Sequence, residues 1–273
     1  ARYTEDIVGD HSPEADPQPQ SLADHWILRQ LDEAAETLDK QLRTYHFAEA
    51  SETIYHTVWD DVADWYIESS KIEQNVDMNA YVLDTVLRLT HPFAPFLTET
   101  IWQALPWHDT ILAGETMPVR KEYDDIAAAE FGRLKDLVSE ARYVVSELPG
   151  NKRYGLLYMD DSLVADNADL IKKLAHATSV EHVEQARGLR LAASGRDAWL
   201  DIDDETLYEH QTNLEKRLAE ERQHVQTLES RLANKNYVAK APAALVEESR
   251  KVLREKQELI VRLQNELQVV AKS

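Results

Sequence analysis

Apolar residues recur along the first hundred positions at the period of helices buried on one side. Ile27, Leu31, Ala34, Leu38 and Leu42 mark one such stripe, and Ser21 followed by Asp24 is a helix-start signal. Beyond a corner at Tyr45 and Phe47, Ala50, Ile54, Val58, Val62 and Trp65 mark a second stripe. Val82, Val86 and Leu89 mark a third, over roughly 78–90. Pro92 removes a backbone donor and is expected to push His91 out of the α region, ending that helix. A fourth helix follows Pro95, and its spacing predicts that Leu97, Ile101 and Trp102 are buried. Phe93 and Phe96 bring two large rings to the same corner, where the general rule for aromatics predicts core packing. Four one-sided helices predict a bundle.

Residues 4–20 carry Gly9, Pro13, Pro17 and Pro19 and read as an exposed linker. Residues 106–124 are irregular, and a long helix is predicted from Asp125 to Leu148, closed by Pro149 and Gly150. Then 154–159 reads as a strand and 164–177 as a helix. Further strands are predicted at 180–186, 189–193 and 198–202, with hairpin turns at Gly188 and at Ser194-Gly195. The pattern predicts a small α+β module on a mostly antiparallel sheet, without evident chemistry, acting as a spacer.

The last stretch changes period. Leu207, Gln211, Leu214, Leu218, Glu221, Val225, Leu228 and Leu232 alternate steps of four and three. Val246, Ser249, Leu253, Lys256, Ile260, Leu263, Leu267 and Val270 do the same. Each set has six apolar residues at eight seam positions, as in a coiled coil. Pro242 and the Asn234–Asn236 stretch interrupt the pattern, which predicts two arms folded back as an antiparallel hairpin, each reaching ~40 Å at ~1.5 Å per residue. That pairing sets Leu232 against Val246, Val225 against Leu253 and Leu218 against Ile260. It also sets Glu221 against Lys256, the two charged seam positions, as a predicted cross-arm ion pair that fixes register.

Composition narrows the function. With 273 residues and 43% apolar content the chain can bury two or three cores, and no apolar run suits a membrane span. The absence of Cys excludes thiolate metal sites and cysteine nucleophiles, and with no signal peptide it predicts a cytoplasmic protein. The first residue is Ala1, which reads as a processed chain or an expressed piece. The net charge is −20, yet residues 207–273 hold 12 basic and 10 acidic residues, leaving −22 in residues 1–206. A field of that sign repels phosphate, so RNA contact in the front part must be local and shape-specific.

No active-site motif emerges: there is no Gly-rich phosphate loop, no His-Glu-x-x-His and no Gly-x-Ser-x-Gly. His108-Asp109, His176 and His182 read as surface or capping groups. Asp60-Asp61 and Asp203-Asp204 read as solvated faces or caps. No catalytic, cofactor-binding or metal residue is predicted.

The string His91-Pro92-Phe93-Ala94-Pro95-Phe96-Leu97-Thr98-Glu99 resembles the helix corner of the anticodon-binding domain in class I aminoacyl-tRNA synthetases for valine, isoleucine and leucine. Residues 22–28 and 64–68 fit that domain, and Ala1-Arg2-Tyr3 resembles the segment after the catalytic domain. Asn236-Tyr237-Val238-Ala239-Lys240-Ala241-Pro242 resembles the C-terminal arm of the valine enzymes. The two ATP-site motifs of class I are absent from this chain.

The resemblance implies a mainly α chain with an anticodon-binding bundle at 1–149, a small α+β linker module at 150–205 and a coiled-coil tRNA-binding arm at 206–273. It implies valine-specific tRNA as partner, with ATP and Mg serving only the intact enzyme. This chain alone is then expected to be inactive, and monomeric unless the coiled coil forms a dimer. It makes His46, Phe47, Arg29, Arg43 and Arg88 candidates for the anticodon. His46 stands where relatives often have Arg, which makes it a weaker phosphate partner at neutral pH. Arg217, Arg222, Arg231, Lys235, Lys240, Arg250 and Arg254 become candidates for the outer corner of the tRNA. His91, Pro92, Phe93, Phe96, Glu221 and Lys256 are expected to be structural. The same region of an isoleucyl- or leucyl-type enzyme, or a non-enzymatic adaptor that binds proteins, would share parts of this pattern.

Overall fold

The structure is a computed structural model; it describes residues 12, 16–234, 237–238 and 241–271. The chain divides into two compact units, Ala1–Asp136 and Leu137–Ser273. In the first unit, α1 (Leu22–Arg43) starts at Ser21, whose side chain accepts from the Asp24 amide, and buries Ile27, Leu31, Ala34 and Leu38 as its stripe predicts. The next helix, α2 (Phe47–His56), runs on through a π-helical stretch, Thr57–Tyr66, and a final turn, Ile67–Ser70. It buries Ala50, Ile54, Val62 and Trp65, with Val58 half-buried, and extends past the predicted end. Then come α3 (Val76–Thr90) and α4 (Pro95–Ala104). The opening turns of α5 (Asp125–Glu147) add Ala128, Phe131 and Leu134 to the core, with Phe131 against Trp26 at 5.0 Å between ring centroids.

A buried carboxylate knots three of these elements together. Asp24 accepts from Tyr66 Oη at 3.0 Å, from Asn75 Nδ2 at 2.8 Å and from the Gln20 amide at 2.9 Å. Asn75 in turn caps α3 through the Met78 amide and donates to Gln18 O. A buried charge needs such company, because an unpaired one would lose its hydration without replacement. The segment read as an exposed linker is therefore anchored where it is described. Pro17 is buried, and Gln18 is held by Asn75.

The corner between α3 and α4 departs from the sequence reading in three ways. His91 keeps helical angles (φ −53°, ψ −42°) despite the following proline. The chain leaves the helix one step later, in a turn where the Phe93 and Ala94 amides both return to Thr90 O. Phe96 is 89% exposed and Leu97 is exposed, whereas the polar Thr98 is buried. The inward stripe of α4 is Thr98, Trp102 and Leu105. Trp102 and Leu105 pack with Leu83, Leu87 and Leu112, and Ile101 and Phe93 are only partly covered. Thr98 Oγ1 donates to Ala94 O and so accepts from His91 Nδ1 at 2.8 Å, a polar lock that sets the angular phase of α4 and turns Phe96 outward.

In the second unit a four-stranded sheet has the order β2-β1-β4-β3. Its strands are β1 (Gly155–Tyr158), β2 (Val180–His182), β3 (Leu189–Leu191) and β4 (Ala198–Asp201). β1 pairs parallel with β2 and antiparallel with β4, and β3 pairs antiparallel with β4. The predicted helix over 164–177 is two short ones, α6 (Ser162–Asp166) and α7 (Ala168–Leu174). They part at Asn167, whose amide donates back to Leu163 O. Ser194-Gly195 does turn a hairpin, between β3 and β4. Gly188 does not, because β2 and β3 lie on opposite edges of the sheet. It has φ +79°, and a Cβ there would lie 2.1 Å from Leu200 O, so it is where the chain enters β3 hard against the backbone of β4.

The arm is α8 (Asp204–Ala233) and α9 (Ala243–Val270), paired as an antiparallel hairpin within one chain. Asp203 caps α8 through the Thr206 amide at 2.7 Å. All sixteen seam positions are buried or half-buried, including the polar Gln211 and Ser249. At the root, Tyr143 on α5 donates to Glu266 at 3.0 Å, and Arg217 meets Glu147 at 2.8 Å.

Gly188→Ala should lower the thermal midpoint of the purified chain, since the new methyl has no room and the backbone is left-handed. Gly132→Ala, in the interior of α5 with nothing within 4 Å of the added carbon, should instead stabilise by about 0.5–1 kcal/mol. Calorimetry on both variants checks the contrast; equal shifts would refute the close approach at Gly188.

Candidate nucleic-acid interface

The end of α1 is closed by a residue that strains to do so. Tyr45 has φ +63°, a left-handed conformation unusual for a bulky side chain, and its amide returns to Leu42 O while that of His46 returns to Gln41 O. Such strain persists only where surrounding contacts impose it, and such residues cluster at functional sites. Thr44 Oγ1 donates to Lys40 O, so it accepts from His46 Nδ1 at 2.8 Å.

This tight corner projects rings into solvent. Tyr45 is 80% exposed and Phe47 56%, in edge contact at 6.0 Å between centroids. Phe47 is therefore no core residue. Further along α2, Tyr55 and Trp59 are also exposed and lie parallel, 7° apart at 6.4 Å. The sequence reading named Phe47 and missed this second pair. Their signal was available: Tyr55 and Trp59 fall off the Ala50–Ile54–Val62–Trp65 stripe, so both are aromatics on the polar side of an amphipathic helix.

The basic candidates of the bundle differ in availability. Arg43 is exposed and bonded to Asp39 at 2.7 Å, a pair of the kind worth only about 0–1 kcal/mol and readily exchanged. Arg29 is three-quarters buried and lies 3.8 Å from Glu33. Arg88 is committed inward: it bonds Asp84 at 2.7 Å, Glu115 at 2.9 Å and Thr116 O at 3.1 Å, and stands over the Trp102 ring. Of the structural candidates, His91 and the half-buried Phe93 stand in the α3–α4 corner, Pro92 lies exposed in its turn, and Phe96, expected to be structural, points into solvent.

On the arm, Glu221 and Lys256 meet at 2.6 Å, the contact that the seam register predicts. The hydrogen bond from Lys256 holds the Glu221 carboxyl below its ordinary range, ahead of a small opposing effect of burial and a smaller contribution from His224. Arg217, Arg222, Arg231, Arg250 and Arg254 are all exposed. Arg250 and Arg254 converge on Glu247 at 3.6 and 3.8 Å, and Arg231 lies over the Tyr237 ring at 5.4 Å, near the turn. Lys235 and Lys240 lie outside the described residues. At the root, burial pushes the His210 imidazole below its usual range, and its Nδ1 has no hydrogen-bond partner. Among the described residues no group of three or more His, Cys, Asp or Glu could hold a metal ion, and no helix is long and apolar enough to cross a membrane.

Residues 24–152 match the family model for the anticodon-binding domain of tRNA ligases, and residues 206–271 match that for the valyl tRNA synthetase tRNA-binding arm. The chain is 34% identical over 262 residues to the valine–tRNA ligase of Thermotoga maritima, covering 89% of this chain and 30% of that protein. It is 34% identical over 259 residues to the enzyme of Geobacillus stearothermophilus, covering 85% and 29%. With the enzyme of Bacillus cereus it shares 33% over 257 residues, again 85% and 29%. The chain thus spans about three tenths of the length of the curated relatives it matches.

Because the folded-state pKa of Glu221 is depressed, the stability it lends the arm is present above the unfolded carboxylate value of about 4.3 and is lost as pH falls through the lower folded value. Circular dichroism during acid titration should show Glu221→Gln narrowing the gap between neutral and acid stability relative to the parent chain. In a double-mutant cycle with Lys256→Met, the single changes should cost more than the double. Strict additivity would contradict the register-fixing role.

Proposed function

We infer that this chain, which belongs to the bacterial valine–tRNA ligase family, is the part of such an enzyme that holds the tRNA. The observation that carries this is the presence of an anticodon-binding domain and a tRNA-binding arm on one chain. Residues 1–149 serve the anticodon stem-loop, with Phe47 as a stacking residue, His46 and Arg43 at the same corner, and Arg29 further back on α1. Residues 150–205 space the two parts. Residues 206–273 meet the outer corner of the tRNA through Arg222, Arg231, Arg250 and Arg254, with Arg217, Lys235 and Lys240 extending the stripe.

Physical chemistry divides the work. In a front part of net charge −22, affinity comes from stacking and base-edge contacts, because phosphates are repelled overall. The mildly basic arm supplies the charge contacts, and the exposed pairs Arg250–Glu247 and Arg254–Glu247 exchange a carboxylate for a phosphate at small cost. The match of residues 206–271 to the valyl arm favours valine tRNA over the isoleucine or leucine kinds. Joining valine to tRNA with ATP and Mg belongs to the longer cytoplasmic enzyme. This chain should act as a monomer and give no valine-dependent pyrophosphate exchange.

A gel shift with purified valine and isoleucine tRNAs at two salt concentrations tests the reading. Valine tRNA should bind more tightly, and Arg250→Glu with Arg254→Glu should weaken it and flatten the salt dependence by about one unit of slope per lost phosphate contact. Equal binding of both tRNAs, or none at low salt, would overturn the assignment.

A further inference from the structure

Tyr55 and Trp59 stand in solvent as a parallel pair of rings on α2 and its π-helical continuation. We propose that the solvent face of α2 carrying these two residues is a stacking platform for unpaired RNA bases that continues the Tyr45–Phe47 corner. The proposal rests on the tRNA reading above and deepens it by naming which part of the RNA this face meets.

Three observations support it. First, Tyr55 is 58% and Trp59 63% exposed, and their rings are nearly parallel, presenting flat aromatic area rather than an interlocked core cluster. Large rings left in water in this way mark a surface built for a partner. Second, Tyr55 and Trp59 are four residues apart and so neighbour each other on one side of the helix. They lie about 6 Å apart along it at ~1.5 Å per residue, room for about two bases stacked at ~3.4 Å. The π-helical stretch Thr57–Tyr66 contains Trp59, and such irregularities recur at functional sites.

Third, the surrounding charge selects the kind of partner. Glu49, Glu52, Asp60 and Asp64 are all exposed on this helix and His56 is bonded to Asp60 at 2.7 Å, while the imidazole of His46 and the Arg43 guanidinium, the latter bonded to Asp39 at 2.7 Å, lie back at the α1–α2 corner. A duplex presents phosphates outward and would be repelled. A single-stranded loop with splayed bases presents rings that stack and amino groups that carboxylates accept from. Aromatic residues beside carboxylates therefore fit bases and not backbone, and the occupant is an unpaired loop.

The test compares the intact chain with Trp59→Ala, Trp59→Phe and Tyr55→Ala for binding of whole valine tRNA and of a short hairpin carrying its anticodon loop. Both residues are exposed, so thermal midpoints should be unchanged. Loss of a stacking ring should weaken hairpin binding roughly 5- to 100-fold, with Trp59→Phe retaining most of it. A fully paired RNA of equal length should bind weakly and without dependence on Trp59. Parent-level hairpin binding by Trp59→Ala would overturn the platform while leaving the tRNA reading intact; it is also the result expected if this face is covered by protein. Failure of the parent chain to bind any tRNA would overturn both.

Discussion

An arm made of two helices has no interior, and that constraint governs what the second unit can do. Each seam residue has partners only across one layer, so most seam positions are half-buried rather than buried. A slip of one helix along the other would carry every exposed side chain with it, and the exposed side chains are the ones proposed to meet RNA. Apolar residues alone tolerate such slips. The single charged step, Glu221 against Lys256 at 2.6 Å, does not, because any other register strands a carboxylate or an ammonium against aliphatic neighbours. Register is thus held by an interaction that adds little to stability and much to uniqueness.

The bundle solves a different problem. Its surface is strongly acidic, yet it must present one corner in a fixed shape. Asp24 ties the start of α1, the end of α2 and the start of α3 into one polar knot. With these elements fixed, the left-handed Tyr45 turns the chain sharply from α1 into α2 and leaves Phe47 in solvent. Buried polar satisfaction on one side thus supports exposed aromatic presentation on the other.

Much of this was legible in the residue pattern. The first three stripes of the bundle, the long α5, the mostly antiparallel sheet and the whole seam follow from period alone, because in each case burial on one face dictates spacing. What escaped was decided by single polar contacts or by close approach. Helical period around Trp102 puts Thr98 on its face and Leu97 off it, but apolarity favoured Leu97 until the polar partners of Thr98, His91 Nδ1 and Ala94 O, came into view. Gly188 reads as a turn residue, but its close approach to β4 depends on Leu200 O, distant in sequence. Pro92 was expected to break His91 out of helical geometry, yet the steric preference is mild and the turn onto Thr90 O overrides it. The rule that rings belong inside misplaced Phe96, whereas the exposure of Tyr55 and Trp59 was legible in their positions off the buried stripe of α2.

The central claim is that two separate surfaces of this chain contact one RNA molecule. Chemical footprinting of valine tRNA bound to the chain tests it most directly. The account predicts protection at both the anticodon loop and the outer corner where the D and T loops meet, with the corner protection fading first as salt rises. Protection confined to one region, or a footprint that spreads evenly along the paired stems, would contradict it.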